Sequence, residues 1–149
     1  MYSLNKRSCL LDSFAHIIRV RPEWLAMIIG HDGPEGFHSQ ECINVALGMG
    51  FAVTTVERKP VAQNPEDGSM RLVEFNHQTA EGRFGWALCH TEGVLMGRMP
   101  FTNKPHAVAW QDPWIHDPGC GQKYQLLDEN NLVTDTNFIP MIYLRIDKL

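Results

Sequence analysis

No apolar run in this 149-residue chain approaches the roughly 20 residues that span a bilayer. That excludes a membrane-spanning helix on sequence grounds. The start, Met1-Tyr2-Ser3-Leu4-Asn5-Lys6-Arg7, is too polar for a signal peptide and no apolar segment follows it. The expectation is therefore a cytoplasmic protein. Positive charge is not in excess either. The 13 Lys and Arg against 17 Asp and Glu leave a net charge of −4, which argues against a nucleic-acid partner held on a basic face and against a polybasic membrane anchor. No Cys-x-x-Cys pair occurs. The four cysteines, Cys9, Cys42, Cys89 and Cys120, stand far apart and should be reduced thiols in a cytoplasm. Repeats and low-complexity tracts are absent. With 12 Gly and 9 Pro, extended disorder is not expected.

What remains is an ordinary globular composition, 44% hydrophobic and 20% charged, with the length of one domain, residues 1–149. A chain of this size buries about 70% of its unfolded surface and needs no metal or disulfide to fold.

The first half has helical periodicity. Leu10, Leu11, Phe14, Ile17 and Ile18 mark a helix from Cys9 to Val20, with Ser8 as N-cap. A second helix opens at Pro22, runs to Ile29 and stops at Gly30. Residues 31–36 read as a loop. Ser39 then caps a third helix with Cys42, Ile43, Ala46 and Leu47 on its apolar face, ending near Gly48 or Gly50.

The second half changes period. Phe51–Val56 is a Val- and Thr-rich strand. Pro60–Gly68 is expected to be loop and Met70–Phe75 a strand. Thr79–Cys89 suggests one more helix, weakened by Gly82 and Gly85. Further strands are expected at Gly93–Gly97, His106–Trp110 and Trp114–His116, the last two joined by a turn at Gln111-Asp112-Pro113. Tyr124–Leu127 and Phe138–Ile146 complete an antiparallel set. Helices first and strands later predict an α+β fold with the helices packed on one sheet.

Three side chains in this pattern suit cysteine chemistry. Cys9 sits at a helix start, where the helix dipole favours the thiolate over the thiol, whose free pKa is about 8.5. His106 opens a strand and suits a general base. Asp117 follows the next strand and suits a group that holds the imidazole in one tautomer. Facing residues on adjacent antiparallel strands lie about 5 Å apart, so His106 and Asp117 can stand side by side.

The segments Cys9-Leu10-Leu11-Asp12-Ser13-Phe14-Ala15, Ile29-Gly30-His31-Asp32-Gly33, Gly36-Phe37-His38-Ser39-Gln40-Glu41, His106-Ala107-Val108-Ala109-Trp110 and His116-Asp117-Pro118 together resemble the papain-like cysteine peptidases. They are most similar to the minimal bacterial branch that includes double-glycine leader peptidases, and to small phage and bacterial proteins of that type. The resemblance spans roughly residues 8 to 118. It implies a papain-like fold and a thiol hydrolase, whether peptidase, isopeptidase or amidase, acting on a protein or peptide through Cys9, His106 and Asp117, with no cofactor. Such peptidases carry a Gln about six residues before the nucleophile that stabilises the oxyanion. Here that position is Ser3, and the nearest amide is Asn5, four residues before Cys9. Asn5 is thus the candidate oxyanion donor. The missing Gln also leaves open an alternative, a weak or inactive papain-like module that binds or regulates without turnover.

The other candidates have plainer expectations. Cys42 belongs to a helix core face, Cys89 to core or surface, and Cys120, between Gly119 and Gly121, to an exposed loop. His16 faces solvent. His116 alternates with Asp117 and points to the opposite sheet face. Trp110 and Trp114 pack, or wall a substrate groove. His31 and Asp32 sit in a loop that could line the same cleft. His31, Asp32, His38 and Cys42 lie close in sequence but without a recurrent zinc spacing, so no metal is expected. If this is right, Cys9 is the most reactive of the four thiols. Iodoacetamide labelling at about pH 6.5, well below an ordinary thiol pKa, should map to Cys9 by mass spectrometry. Labelling first at Cys42 or Cys120 would refute it.

Overall fold

The computed structural model describes residues 8–59, 61–63, 65–72 and 80–149. Asn5 and Ser3 lie outside the described residues, as does the end of the strand expected at Met70–Phe75. Among the described residues the chain forms four helices, a six-stranded antiparallel sheet and a separate two-stranded hairpin.

The helices follow the caps written into the chain. Helix α1 spans Cys9–Ile18, with the Ser8 hydroxyl accepting from the Leu11 N–H at 3.3 Å. It stops two residues before Val20, because Arg19 takes the left-handed conformation at φ 61°. Helix α2 spans Pro22–Ile29 and ends at Gly30, left-handed at φ 102°. Helix α3 spans Ser39–Gly48. Its N-cap is His38, not the expected Ser39, because the Glu41 carboxylate reaches back to the His38 N–H at 2.8 Å.

Strand β1 is Phe51–Glu57, β2 Val61–Gln63, β3 Met70–Leu72 and helix α4 Ala80–Leu88. Strands β4 to β8 are Glu92–Arg98, Pro105–Gln111, Trp114–His116, Lys123–Gln125 and Ile139–Lys148. The stretch expected as loop from Pro60 to Gly68 therefore contains a strand, β2. It pairs antiparallel with β3, from Val61 opposite Leu72 to Gln63 opposite Met70. Three residues carry too little pattern to signal a strand without a partner.

The large sheet runs β1-β8-β4-β5-β6-β7, every neighbouring pair antiparallel. Two apolar layers cover it. On one face Leu11, Phe14, Ala15, Ile17 and Ile18 of α1 join Leu25, Cys42, Ala46, Val94, Ala107, Ala109, Leu144 and Ile146. On the other, Phe84 and Leu88 of α4 join Leu95, Val108, Trp110, Ile115, Leu126, Phe138 and Tyr143. The helices therefore flank both faces, whereas the order of elements predicts one. The period-2 alternation of each strand feeds both layers. On β5, Ala107 and Ala109 meet α1 while Val108 and Trp110 meet α4.

A buried cation locks the second layer. Arg58, only 4% exposed, donates from Nε and Nη2 to Glu81 at 2.8–3.1 Å, and from Nη1 and Nη2 to the two Asp135 oxygens at 2.6 and 2.8 Å. Its Nη1 also reaches the Pro140 carbonyl at 3.2 Å. A guanidinium out of water needs such partners. They tie the end of β1 to α4 and to the segment before β8.

Gly85 resolves the weak helical signal of α4. An added Cβ would lie 1.8 Å from the Asn131 carbonyl oxygen, so glycine is required by close approach. Alanine is intrinsically about 1 kcal/mol better than glycine within a helix, yet Gly85→Ala should destabilise by about 1–3 kcal/mol through overpacking. Urea unfolding would read this as a lower midpoint. A raised midpoint would contradict the contact.

Candidate active site

Packing brings Cys9, His106 and Asp117 together. Cys9 opens α1, and α1 lies across β5 on the small side chains of Ala107 and Ala109, both nearly fully buried. Large residues there would hold the helix off the sheet. His106 is the second residue of β5, close to the strand's beginning. The Cys9 thiol lies near enough to the His106 side chain, and to the backbone N–H groups of Ala107 and Leu10, for each to favour its thiolate.

Asp117 arrives by a different route from the one expected. Ala109 pairs with His116, so Asp117 stands level with Val108 and diagonal to His106. The chain turns just there. The Asp117 N–H donates to the Gln122 carbonyl at 2.9 Å, and the Gly121 N–H donates to the Asp117 carbonyl at 2.7 Å. The turn aims the carboxylate along the sheet, and His106 Nε2 lies 2.8 Å from Asp117 Oδ1. That leaves Nδ1 as the ring nitrogen not engaged by Asp117. Both side chains are largely shielded, 15% exposed for His106 and 6% for Asp117. The Phe138 ring meets the imidazole edge-on, with centroids 6.1 Å apart.

The electrostatics follow from this geometry. Burial pushes the Cys9 thiol up, but the His106 hydrogen bond and charge and the two backbone N–H donors outweigh it, so its pKa falls below the ordinary value. The interaction with Cys9 raises His106, burial opposes it, and the hydrogen bond and charge of Asp117 add to the rise, to about 9. The pair therefore favours thiolate and imidazolium over thiol and imidazole.

The remaining candidates separate clearly from this cluster. Cys42 is fully buried and burial raises its thiol to about 12, with Glu41 adding to the rise. Cys89 is half-buried, donates to the Gly85 carbonyl at 3.3 Å and is raised by burial and then Asp112. Cys120 is exposed. His116 points to the α1 face and stacks on His16 with centroids 4.6 Å apart. His16 is exposed but not merely solvated, since it also meets Gln111 at 3.0 Å. Trp110 is buried and donates to the Leu88 carbonyl at 2.9 Å, while Trp114 carries the Lys123 ammonium on its ring at 4.6 Å. His31 accepts from the Gly33 N–H at 3.1 Å, meets Glu41 at 2.6 Å and stacks on Phe37. It is a loop brace. His31, Asp32, His38 and Cys42 are not gathered, and among the described residues no group of three or more His, Cys, Asp or Glu is placed to hold a metal ion. Nor is any helix among them long and apolar enough to cross a membrane.

Two residues of the site carry no functional signal in the sequence, Gly119 and Tyr124. The Gly119 N–H donates to Asp117 Oδ1 at 2.8 Å, and the Tyr124 hydroxyl donates to Asp117 Oδ2 at 3.4 Å. The Asp-Pro-Gly spacing was visible, but only the turn shows which atom the glycine serves. A cleft of about 400 Å³ runs beside the pair, lined by Asp12, Ser13, His16, His116, Asp117 and Gln122 among others. It reaches Asp117 but neither Cys9 nor His106. No family model, curated protein or solved structure matches the chain.

Gly119 offers a test that spares the three side chains. A Cβ there would sit 3.1 Å from Asp117 Oδ1 and 3.2 Å from His106 Cε1. Gly119→Ala should slow Cys9 alkylation at neutral pH several-fold while the melting temperature stays close to wild type. An unchanged alkylation rate would show that the pair tolerates displacement.

Proposed function

We propose that this chain is a cysteine hydrolase of the papain-like type, acting on a protein or peptide amide through Cys9, His106 and Asp117. The observation that carries the proposal is the shared ring. One imidazole meets Asp117 through Nε2 at 2.8 Å and pairs with the thiol at the start of α1. A nucleophilic helix packed on an antiparallel sheet that carries the base is also the arrangement a papain-like fold requires.

The chemistry runs in two halves. The Cys9 thiolate adds to the substrate carbonyl carbon, and the carbonyl electron pair moves to oxygen. The backbone N–H of Cys9 is the main-chain donor for this oxyanion, and Asn5 is the side-chain candidate. The intermediate collapses, the C–N bond breaks, and the amine leaves with the proton of the His106 imidazolium. His106 then takes a proton from water, hydroxide attacks the thioester, and the acid departs as the thiolate returns. Asp117 keeps the ring oriented through both halves.

Cys9→Ala and His106→Ala should abolish turnover of a peptide or ester probe. Asp117→Ala should leave a measurable remnant, because a thiol ionises more easily than a hydroxyl and depends less on its third partner. The pH profile of kcat/KM should rise as Cys9 loses its proton and fall near pH 9, where His106 loses the proton it must give to the leaving amine. In Asp117→Ala the alkaline limb should move down, since that carboxylate helps hold the imidazolium. A Cys9 that alkylates like a free thiol, with no turnover of any probe, would refute the proposal and leave the non-catalytic binding module as the better account.

A further inference from the structure

The catalytic pair has a second support at the other oxygen of Asp117. The two carboxylate oxygens are held differently. Oδ1 meets both the His106 Nε2 and the Gly119 N–H at 2.8 Å. Oδ2 receives the Tyr124 hydroxyl at 3.4 Å. Tyr124 stands on β7 opposite Ile115 of β6, and its ring packs against the second apolar layer. Its hydroxyl is thus delivered by the sheet rather than by the turn that delivers Asp117. Around this point a recess of about 240 Å³ is lined by Met99, Asp117, Cys120, Gln122, Tyr124 and Asn137.

We propose that Tyr124 is a positioning residue for the catalytic pair, its hydroxyl binding the outer oxygen of Asp117 and setting how strongly that carboxylate holds the His106 ring. The inference rests on the hydrolase reading above. A carboxylate shielded to 6% exposure has few water donors, so each protein donor tempers its basicity. Cys9 of α1 and Asp117 of the turn face the His106 ring, and Asp117 and Cys120 of the turn face the Tyr124 phenol. Burial, then the negative charge of Asp117, push the Tyr124 phenol well above its ordinary range. It therefore stays protonated and stays a donor across the working pH of the site. Gly119 and His106 still hold Oδ1 when the phenol is removed, so the loss is one of charge stabilisation rather than of orientation.

The test separates this inference from the hydrolase reading. Iodoacetamide alkylation of Cys9 in the wild-type chain reports on the reading. An ordinary thiol profile there refutes the hydrolase proposal whatever Tyr124 does. The His106 ring pKa, followed by NMR titration, reports on Tyr124. In Tyr124→Phe the carboxylate loses a donor and becomes a stronger base, so the His106 titration should move up by several tenths of a pH unit, and the alkaline limb of Cys9 alkylation should follow it. Mere loosening of the fold would move His106 toward its free value, downward. A His106 titration that is unmoved or lowered in a folded Tyr124→Phe variant overturns the proposal. Should that variant not fold, 3-fluorotyrosine at position 124, a stronger donor of nearly the same shape, should move the titration down. No movement with that replacement overturns it equally.

Discussion

The site depends on how closely α1 approaches β5. A helix N-terminus and a strand residue can share a proton only if their backbones come within side-chain reach, and here two alanines permit that. Ala107 and Ala109 present little bulk to the helix, while Leu11, Phe14, Ile17 and Ile18 fill the space around them. Each of these large side chains contributes about 1.5–3 kcal/mol on burial. The helix is therefore held by its apolar face, and its first residue is carried to His106 as a consequence. Burial alone would make that thiol a poorer acid, as it does for Cys42. At Cys9 the same burial is outweighed by one imidazole and two backbone donors.

The opposite layer matters just as much to the imidazole. Phe138 meets its edge, Tyr124 supports the far oxygen of Asp117, and both pack among Trp110, Ile115 and Leu126. Arg58 fastens this layer by joining β1, α4 and the segment before β8 around one buried guanidinium. Among the described residues no buried side-chain nitrogen or oxygen lacks a partner, so this polar bracing carries no unsatisfied group. The ring of His106 thus lies at the seam between two cores, with the thiol from one and the carboxylate's support from the other.

The cleft beside the pair opens along the helix flank, where His16 and His116 stack, and touches the Cys9, His106 and Asp117 cluster only at Asp117. This explains why two histidines near one helix have different parts. On these adjacent strands of one sheet, His106 lies by the thiol at the helix start, while His116, paired with Ala109, braces the helix two turns later.

The α+β class, the three N-terminal helices and most strands of the large sheet were legible in the chain, because they rest on local rules. Ser8 and Pro22 announce helix starts, Gly30 a stop, and the Val- and Ala-rich runs their strands. The triad residues were legible as types at suggestive places, since a thiol at a helix start needs no tertiary context to be noticed. The rest was decided by packing across long sequence separations. His38 displaced Ser39 as a cap because Glu41 reached it. The β2 strand exists only through β3. Helix α4 went to the second face because Trp110, Phe138 and Tyr143 await it there. Above all, the diagonal placement of Asp117, the close approach at Gly119 and the reach of Tyr124 belong to a turn whose hydrogen bonds join residues 117–122. No periodicity records such a turn, since its atoms meet only once α1, β5, β6 and β7 have packed.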